Sequence, residues 1–458
     1  MVEAGLDVAR LNFSHGNLEL HAENAERVRA AASAAGRQVA ILQDLPGPKL
    51  RVGVIENEIA ELRRGDTLTL LCGSTAIGNE RQMSVAWPGL AESVDPRDVI
   101  YLADGKIRLR VEAVRVGDGE VETIVEVGGA VASRQGLNIP GSTRGLKAVP
   151  DEDLEMLRFG ESIGVDMVAL SFVRSAEDVT NVREHTRLPL IAKIEKPQAV
   201  DAAEDIIRAA DCVMVARGDL GIELPIQDVP LAQKRLLRIA GQLARPSITA
   251  TQMLDSMVAS PRPTRAEATD VANAIFDGTD AVMLSEESAA GAHPDKAVAA
   301  LRRICLGAER QFEPKEDPAT QAHLLDRTDQ AIALAAMVLA AQLGVRAIVA
   351  LTESGATAQW LSRYRSAVPI YALSPFDDAR RRMSIFRDVT AVKFTHVSQT
   401  PAGSARDAVR QLFAQGRLAE GDRVVLTHGD HIGQGGGTNT LKLLSVGAEG
   451  VVECLRDL

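Results

Sequence analysis

Residues 190–224, LIAKIEKPQAVDAAEDIIRAADCVMVARGDLGIEL, read as strand, helix, strand and then a glycine turn that opens another helix. The first strand ends in Lys193 and Glu195. Side chains two apart on a strand share a face, so the ammonium and the carboxylate point into one space. The second strand, Cys212–Ala216, runs into Arg217-Gly218-Asp219 and places another carboxylate at a helix start. Parallel strands joined by a crossover helix bring their C-terminal ends side by side. Glu195 and Asp219 are therefore expected to converge, with Lys193 beside them and free backbone N–H groups below. Two carboxylates suit Mg²⁺, which keeps waters and completes its shell with substrate oxygens. A solvated strand end or a helix cap would account for any one of these residues. All three at adjacent strand ends point instead to a site for an anionic, phosphorylated substrate.

Working outward, the same strand–helix alternation recurs. Val8–Ser14 places Arg10, Asn12 and Ser14 on one face, a helical pattern follows from Leu18 to about Ala35, and Gly36 stops it. Val39–Leu45, Met167–Phe172, Ser247–Thr251 and Ala281–Ser285 complete a set of seven strands. Parallel strands at this spacing predict a (β/α)8 barrel, one strand short, whose active site lies at the C-terminal strand ends. Asp44, Ser171, Arg217 and Thr251 fall at those ends with the residues already named.

Between about Lys49 and Lys147 the helix signal disappears. Leu68–Leu71, Val99–Leu102, Ile107–Val114 and Val121–Val127 read as strands of a small β domain, with turns at Asp104-Gly105 and Gly117-Asp118-Gly119. After Arg310 a proline-bearing charged link, 313–318, marks a boundary to a further α/β unit. There a helix at Asp329–Leu343 precedes strand Ala347–Leu351 and the turn TESGAT (352–357), with further strands at Ile370–Leu373 and Arg423–Thr427. That turn is equally an anion site or a helix start capped by Ser354 or Thr357. The glycine run 433–437 lacks the Lys and helix start of a phosphate cradle and reads as a loop. The predicted division is 1–48 and 148–312 for the barrel, 49–147 for an inserted β-barrel lid and 313–458 for the C-terminal α/β domain.

Totals bound the rest. The chain has 458 residues, too many for one core, and 51 − 62 gives a net charge of −11 with no long basic run, which argues against a nucleic-acid partner. Cys72, Cys212, Cys305 and Cys454 are scattered without metal-ligand spacing, as in a reducing compartment. The longest apolar run, Ala331–Val345, is too short for a membrane span, and the first residues lack a secretory leader's pattern. A cytoplasmic protein with no membrane partner is expected.

The strings VARLNFSHG (8–16), MVARGDLGIEL (214–224), ITATQMLDSM (248–257), PTRAEATDVANAIFDGTDAVMLS (263–285), TESGATAQWLSRYR (352–365) and GGGTNTL (435–441) resemble pyruvate kinase. The resemblance implies phosphoryl transfer between phosphoenolpyruvate and ADP, giving pyruvate and ATP. It assigns Mg²⁺, with Mn²⁺ as an alternative, to Glu195 and Asp219, and the transferring phosphoryl group to Lys193 with Arg10 opposite. The N–H groups of Gly218 and Asp219 would take the substrate carboxylate beside Thr251, which would also lie in the proton path to pyruvate. A homotetramer and allosteric control by a phosphorylated effector at Thr352, Ser354, Gly355 and Thr357 are implied likewise. Glu353 stands where members that respond to fructose bisphosphate can have Lys, which makes that effector doubtful. In QDLPGPKLR (43–51) Lys49 stands where potassium-dependent members carry Glu. A tethered ammonium can supply the charge of a monovalent cation otherwise held by Asn12, Ser14, Asp44 and the Leu45 carbonyl, so K⁺ is not expected to be required.

The family's first barrel strand and most of a helix are absent before VEAGLDVARLNFSHG. The reading therefore expects the numbered start to be internal to the gene product. The alternatives are a catalytically impaired regulatory subunit, or a Mg²⁺-dependent barrel aldolase, which would share the carboxylate pair but need neither the lid nor Lys193.

Overall fold

The computed structural model describes residues 1–48, 50–103, 105–140, 147–311, 325, 327–364, 368–395, 398, 400–430 and 437–454. Lys49, Asp104, the 313–318 link and the glycines at 433–436 lie outside the described residues.

All seven anticipated barrel strands are present, as Val8–Asn12, Ala40–Asp44, Met167–Leu170, Leu190–Ile194, Cys212–Ala216, Ser247–Ala250 and Ala281–Met283. They form one parallel sheet in chain order. Six of the seven end one or two residues earlier than the hydrophobic pattern suggested. Phe172 (φ 56°) and Thr251 (φ 72°) show why at two of them: a left-handed backbone cannot continue a strand.

Period-two alternation divides this sheet between two cores. Ile41, Val168, Leu170, Leu190, Ala192, Ile194, Val213 and Val215 pack outward against helices that include Ala176–Arg183, Ala203–Ala209 and Val229–Gln242. Ala40, Leu42, Met167, Ala169, Ile191, Met214, Ile248 and Ala250 form the inner core, joined by Met383, Ile385 and Phe386 from the C-terminal unit. The middle strands are buried throughout, whereas most of Val8–Asn12 and all of Ala281–Met283 are half-buried. Among the described residues neither edge strand has an outer partner.

The inserted segment holds a six-stranded sheet and a two-stranded ribbon around their own apolar core. Four strands match the sequence reading. Ile59–Leu62, Gln82–Val85, Gly129–Ala132 and Leu137–Asn138 were not anticipated, because two to four residues with polar or small members give no clear alternation. The C-terminal sheet runs 389–393, 370–374, 347–351, 423–429, 438–446 and 452–454, parallel through the first four strands and antiparallel thereafter. Among the described residues no helix is long and apolar enough to cross a membrane.

Aspartates organise the opposite end of the barrel. Asp166, Asp211 and Asp280 each precede a strand and accept an N–H from the start of the preceding one: Ile41 at 2.7 Å, Leu190 at 2.9 Å and Ser247 at 2.9 Å. Two of them also receive cations from the C-terminal unit. Arg381 Nε reaches Asp166 at 2.6 Å, and Arg363 Nη1 reaches Asp280 at 2.9 Å. Burial would push the Asp280 carboxyl up, but the charges of Arg363 and Arg387 outweigh it and hold its pKa below the ordinary value.

Asp280→Asn leaves the Arg363 guanidinium buried without its counter-charge and should cost about 3 kcal/mol of stability at pH 7 in urea unfolding. Because the folded pKa is depressed, the carboxylate's contribution is present above about pH 4 and lost on further acidification. A loss that stays below about 0.5 kcal/mol at neutral pH would contradict this role for the pair.

Candidate active site

The inner-face parity that gives Ala40 and Leu42 gives Asp44 next; Met167 and Ala169 lead to Ser171, and Ile191 leads to Lys193 and Glu195. Alternation thus carries an apolar barrel interior into a charged one at the C-terminal strand ends. Lys193 Nζ lies 3.0 Å from Glu195 Oε1 and 3.2 Å from Asp44 Oδ1, and donates to Ser171 Oγ at 2.7 Å. Ser171 Oγ donates in turn to the Leu45 carbonyl at 2.8 Å. Arg10 Nε closes the cluster on Asp44 Oδ2 at 2.6 Å. The Asp44 and Glu195 side chains are 1% exposed, and Arg10 keeps 23% of its side-chain surface. Arg10 is therefore the most open member of the cluster, with Lys193 next at 11%.

Burial disfavours every charge here, and the partners decide the outcome. Burial would lower the Lys193 pKa, but Asp44 and Glu195 raise it well above its ordinary value, so the ammonium stays charged. Burial would raise Asp44, but Lys193 and Arg10 pull it below the usual carboxylate range. Glu195 is pushed up by burial, and the neighbouring Asp219 charge adds to that, against Lys193 and the Phe172 N–H at 2.7 Å. The two carboxylates expected from sequence are thus near enough to repel each other. A divalent cation would relieve that repulsion, and two carboxylates with open positions for substrate oxygens fit Mg²⁺.

The Arg217–Glu223 helix and the residues after Ala250 form the adjoining wall. Gly218 N–H donates to Thr251 Oγ1 at 2.7 Å, and Thr251 Oγ1 donates to the Ala250 carbonyl at 2.6 Å. A β-branched residue at φ 72° is strained, and such strain gathers where surroundings fix a functional geometry. Arg217 does the fixing: Nη2 holds the Thr251 carbonyl at 2.8 Å and Nη1 holds Asp270 at 2.8 Å. Arg217 is framework, although it falls at a strand end with the site residues.

Of the monovalent-cation set, Asn12 Oδ1 accepts the Ser14 N–H at 3.1 Å, Asp44 carries two cations, and the Leu45 carbonyl takes Ser171. Ser14 lies beyond the strand that was expected to include it. Lys49 lies outside the described residues. Between Leu45 and Lys49, Gly47 adopts φ 67°, and a side chain there would meet Ser171 Cβ at 2.9 Å. Its N–H donates to the buried Asp153 at 2.8 Å. The Asp153 carboxyl is raised to about 6, chiefly by burial, with Glu152 and Asp44 adding to it and the Gly47 bond opposing.

Sequence reasoning missed Asp153 and two further charged residues, Lys196 and Glu223, which form a buried ion pair beside the site. The spacing that marked Lys193 and Glu195 does not reach Lys196, one residue past the strand. In the C-terminal turn, Thr352 Oγ1 accepts the Gly355 N–H at 3.0 Å, Gly355 adopts φ 90°, and Thr357 pairs with Thr438 at 2.6 Å. The helix Ala356–Arg363 begins from Gly355 with no side-chain cap, so neither Ser354 nor Thr357 caps it.

A family model described as pyruvate kinase, barrel domain, matches residues 1–298, and one described as pyruvate kinase, alpha/beta domain, matches residues 330–444. A pyruvate kinase of Geobacillus stearothermophilus is 42% identical over 454 residues, covering 97% of this chain and 76% of that one. One of Mycobacterium tuberculosis is 41% identical over 456 residues, covering 98% and 95%. Pyruvate kinase II of Salmonella typhimurium is 41% identical over 456 residues, covering 97% and 94%.

Asp44→Asn removes the anion shared by Lys193 and Arg10 and should destabilise the fold by about 3 kcal/mol at pH 7. The folded pKa of Asp44 is depressed, so the difference from the unaltered protein should shrink as pH falls below about 4. Urea unfolding at both pH values checks this; a pH-independent difference would contradict it.

Proposed function

The chain belongs to the pyruvate kinase family, and from that premise we propose how its own residues carry the family's reaction. The enzyme transfers the phosphoryl group of phosphoenolpyruvate to ADP, giving pyruvate and ATP. The observation that carries the assignment of roles is the Lys193 ammonium, kept charged between two buried carboxylates at the mouth of the barrel.

Phosphoryl transfer is governed by positioning and by electrostatic stabilisation of the phosphoryl oxygens. Lys193 supplies a fixed positive charge to that group in transit, and Arg10, anchored through Nε on Asp44, meets the phosphate with its terminal nitrogens. The N–H groups of Gly218 and Asp219 receive the substrate carboxylate at the start of the Arg217–Glu223 helix. The Gly218 N–H is not free as the sequence suggested but donates to Thr251 Oγ1, so substrate would have to take over or share that bond. As the bond from the enol oxygen to phosphorus breaks and one to an ADP β-phosphate oxygen forms, the enolate takes a proton at its methylene carbon. Thr251 lies on that proton's route, directly or through water.

Glu195 and Asp219 would hold the divalent cation, Mg²⁺ or alternatively Mn²⁺, which would supply positive charge against the developing anion. The inserted β unit acts as a lid that excludes water during transfer. Lys49 replaces K⁺, supplying the charge of the monovalent cation otherwise held by Asn12, Ser14, Asp44 and the Leu45 carbonyl. Thr352, Ser354, Gly355 and Thr357 form the entry to an effector site for a phosphorylated ligand, and the chain assembles as a homotetramer in the cytoplasm.

Lys193→Gln should lower kcat by about 10³-fold or more. By leaving the buried Asp44 and Glu195 carboxylates without their shared cation it should also cost about 3 kcal/mol of stability, so kcat is read at a temperature where the variant stays folded. Loss of less than about tenfold would overturn the role given to Lys193. The unaltered enzyme should reach full activity in K⁺-free buffer, and Lys49→Glu should create K⁺ activation; steep K⁺ activation of the unaltered enzyme would overturn that reading.

A further inference from the structure

We propose that Lys196 and Glu223 are a positioning pair that holds the inserted β unit in register with the helix bearing Gly218 and Asp219. The inference rests on the roles given above to those two residues. Lys196 and Glu223 form an ion pair with side chains only 7% and 1% exposed. Desolvating two such charges costs about as much as their attraction returns, so a pair this deep adds little net stability over apolar residues of similar volume. What it adds is a fixed geometry, and its contacts show what is fixed.

Three pieces of chain meet at Lys196. Its ammonium contacts Glu223, donates to the Ile139 carbonyl of the β unit at 3.3 Å, and lies 5.9 Å from the Phe172 ring centroid. The Phe172 N–H is the donor that holds Glu195 Oε2. Glu223 lies one turn after Asp219 on the same helix, and the Asn138 side chain lies near enough to its carboxyl to oppose the upward push of burial. Asn138 and Ile139 belong to the segment by which the β unit returns to the barrel, and Asn138 pairs with Tyr101 in its sheet. On the far side of that pairing, Gly105 rests on the same helix: a Cβ there would lie 3.4 Å from Ile222 Cγ1. Gly105 and the Asn138–Ile139 segment of the β unit therefore both bear on the last turn of the helix whose first turn faces substrate. Any displacement of the β unit is carried to Gly218 and Asp219 through that helix.

Glu223→Gln, Lys196→Met and Asn138→Ala test the pair, read by steady-state kinetics at varied phosphoenolpyruvate and Mg²⁺ together with thermal unfolding. Each should raise KM for phosphoenolpyruvate and the Mg²⁺ concentration for half-maximal activity by about tenfold, with kcat falling less. The Lys196→Met, Glu223→Gln double variant should be no worse than the worse single variant, because the two residues act as one unit. Lys196→Arg should recover most of the loss. Unchanged KM and Mg²⁺ response with a lowered melting temperature would overturn the proposal and leave a purely structural pair. Asn138 belongs to the β unit and not to the barrel, so Asn138→Ala decides the matter if the two barrel variants fail to fold. Asp219→Asn serves as the control for the underlying site. If that variant stays active, the site assignment falls; if it is inactive while the pair's variants keep unaltered kinetics, only the present inference falls.

Discussion

A lysine ammonium held between two carboxylates inside a barrel is the constraint on which the rest of this molecule turns. At 3.0 Å and an effective dielectric constant of 20, the Lys193–Glu195 attraction is roughly 5 kcal/mol. Removing each ion from water costs several kcal/mol as well. The two quantities nearly cancel, so the Asp44, Lys193, Glu195 and Arg10 cluster is poorly explained as a stabilising device. It is better explained as a charge held in place for chemistry, kept in its ionised form by neighbours that the barrel fixes rigidly.

The surrounding structure can be understood as the means of holding it. Inner-face alternation places Lys193, Glu195, Asp44 and Ser171 at the ends of three neighbouring strands whose earlier inner residues are apolar. Met383, Ile385 and Phe386 pack into that same interior, and Asp166 and Asp280 bind the C-terminal unit's arginines. The barrel floor is therefore shared between two sheets. On the substrate side, the strained Thr251 and the short helix after Ala216 are braced by Arg217 and by the Lys196–Glu223 pair. Each brace acts on backbone that carries a ligand-facing group.

Much of this was legible in the sequence because parallel strands announce themselves by continuous apolar runs and place function at their ends. The seven strands and the meeting of Lys193 with Glu195 followed from that rule. What escaped it has physical causes. Asp44 was assigned to a monovalent-cation set, since nothing in its spacing reveals a salt bridge to a lysine 149 positions later that shares its inner face. Lys196 sits past the strand end, where alternation no longer says which way a side chain faces. The short strands at 59–62, 82–85 and 129–132 carry too few residues for a period to show. Thr251 and Phe172 depart from strand geometry because tertiary bonds hold their backbones, and local preference cannot reveal that.

The most direct test of the account is a crystal structure of the enzyme with Mn²⁺ and oxalate, a planar dianion that mimics the enolate of pyruvate. The account predicts the metal bound by one oxygen each of Glu195 and Asp219 and by the oxalate. It also predicts a carboxylate of the oxalate on the Gly218 and Asp219 N–H groups, with Lys193 Nζ facing the open side. A metal bound elsewhere, or oxalate seated away from Lys193 and the Arg217–Glu223 helix, would contradict it.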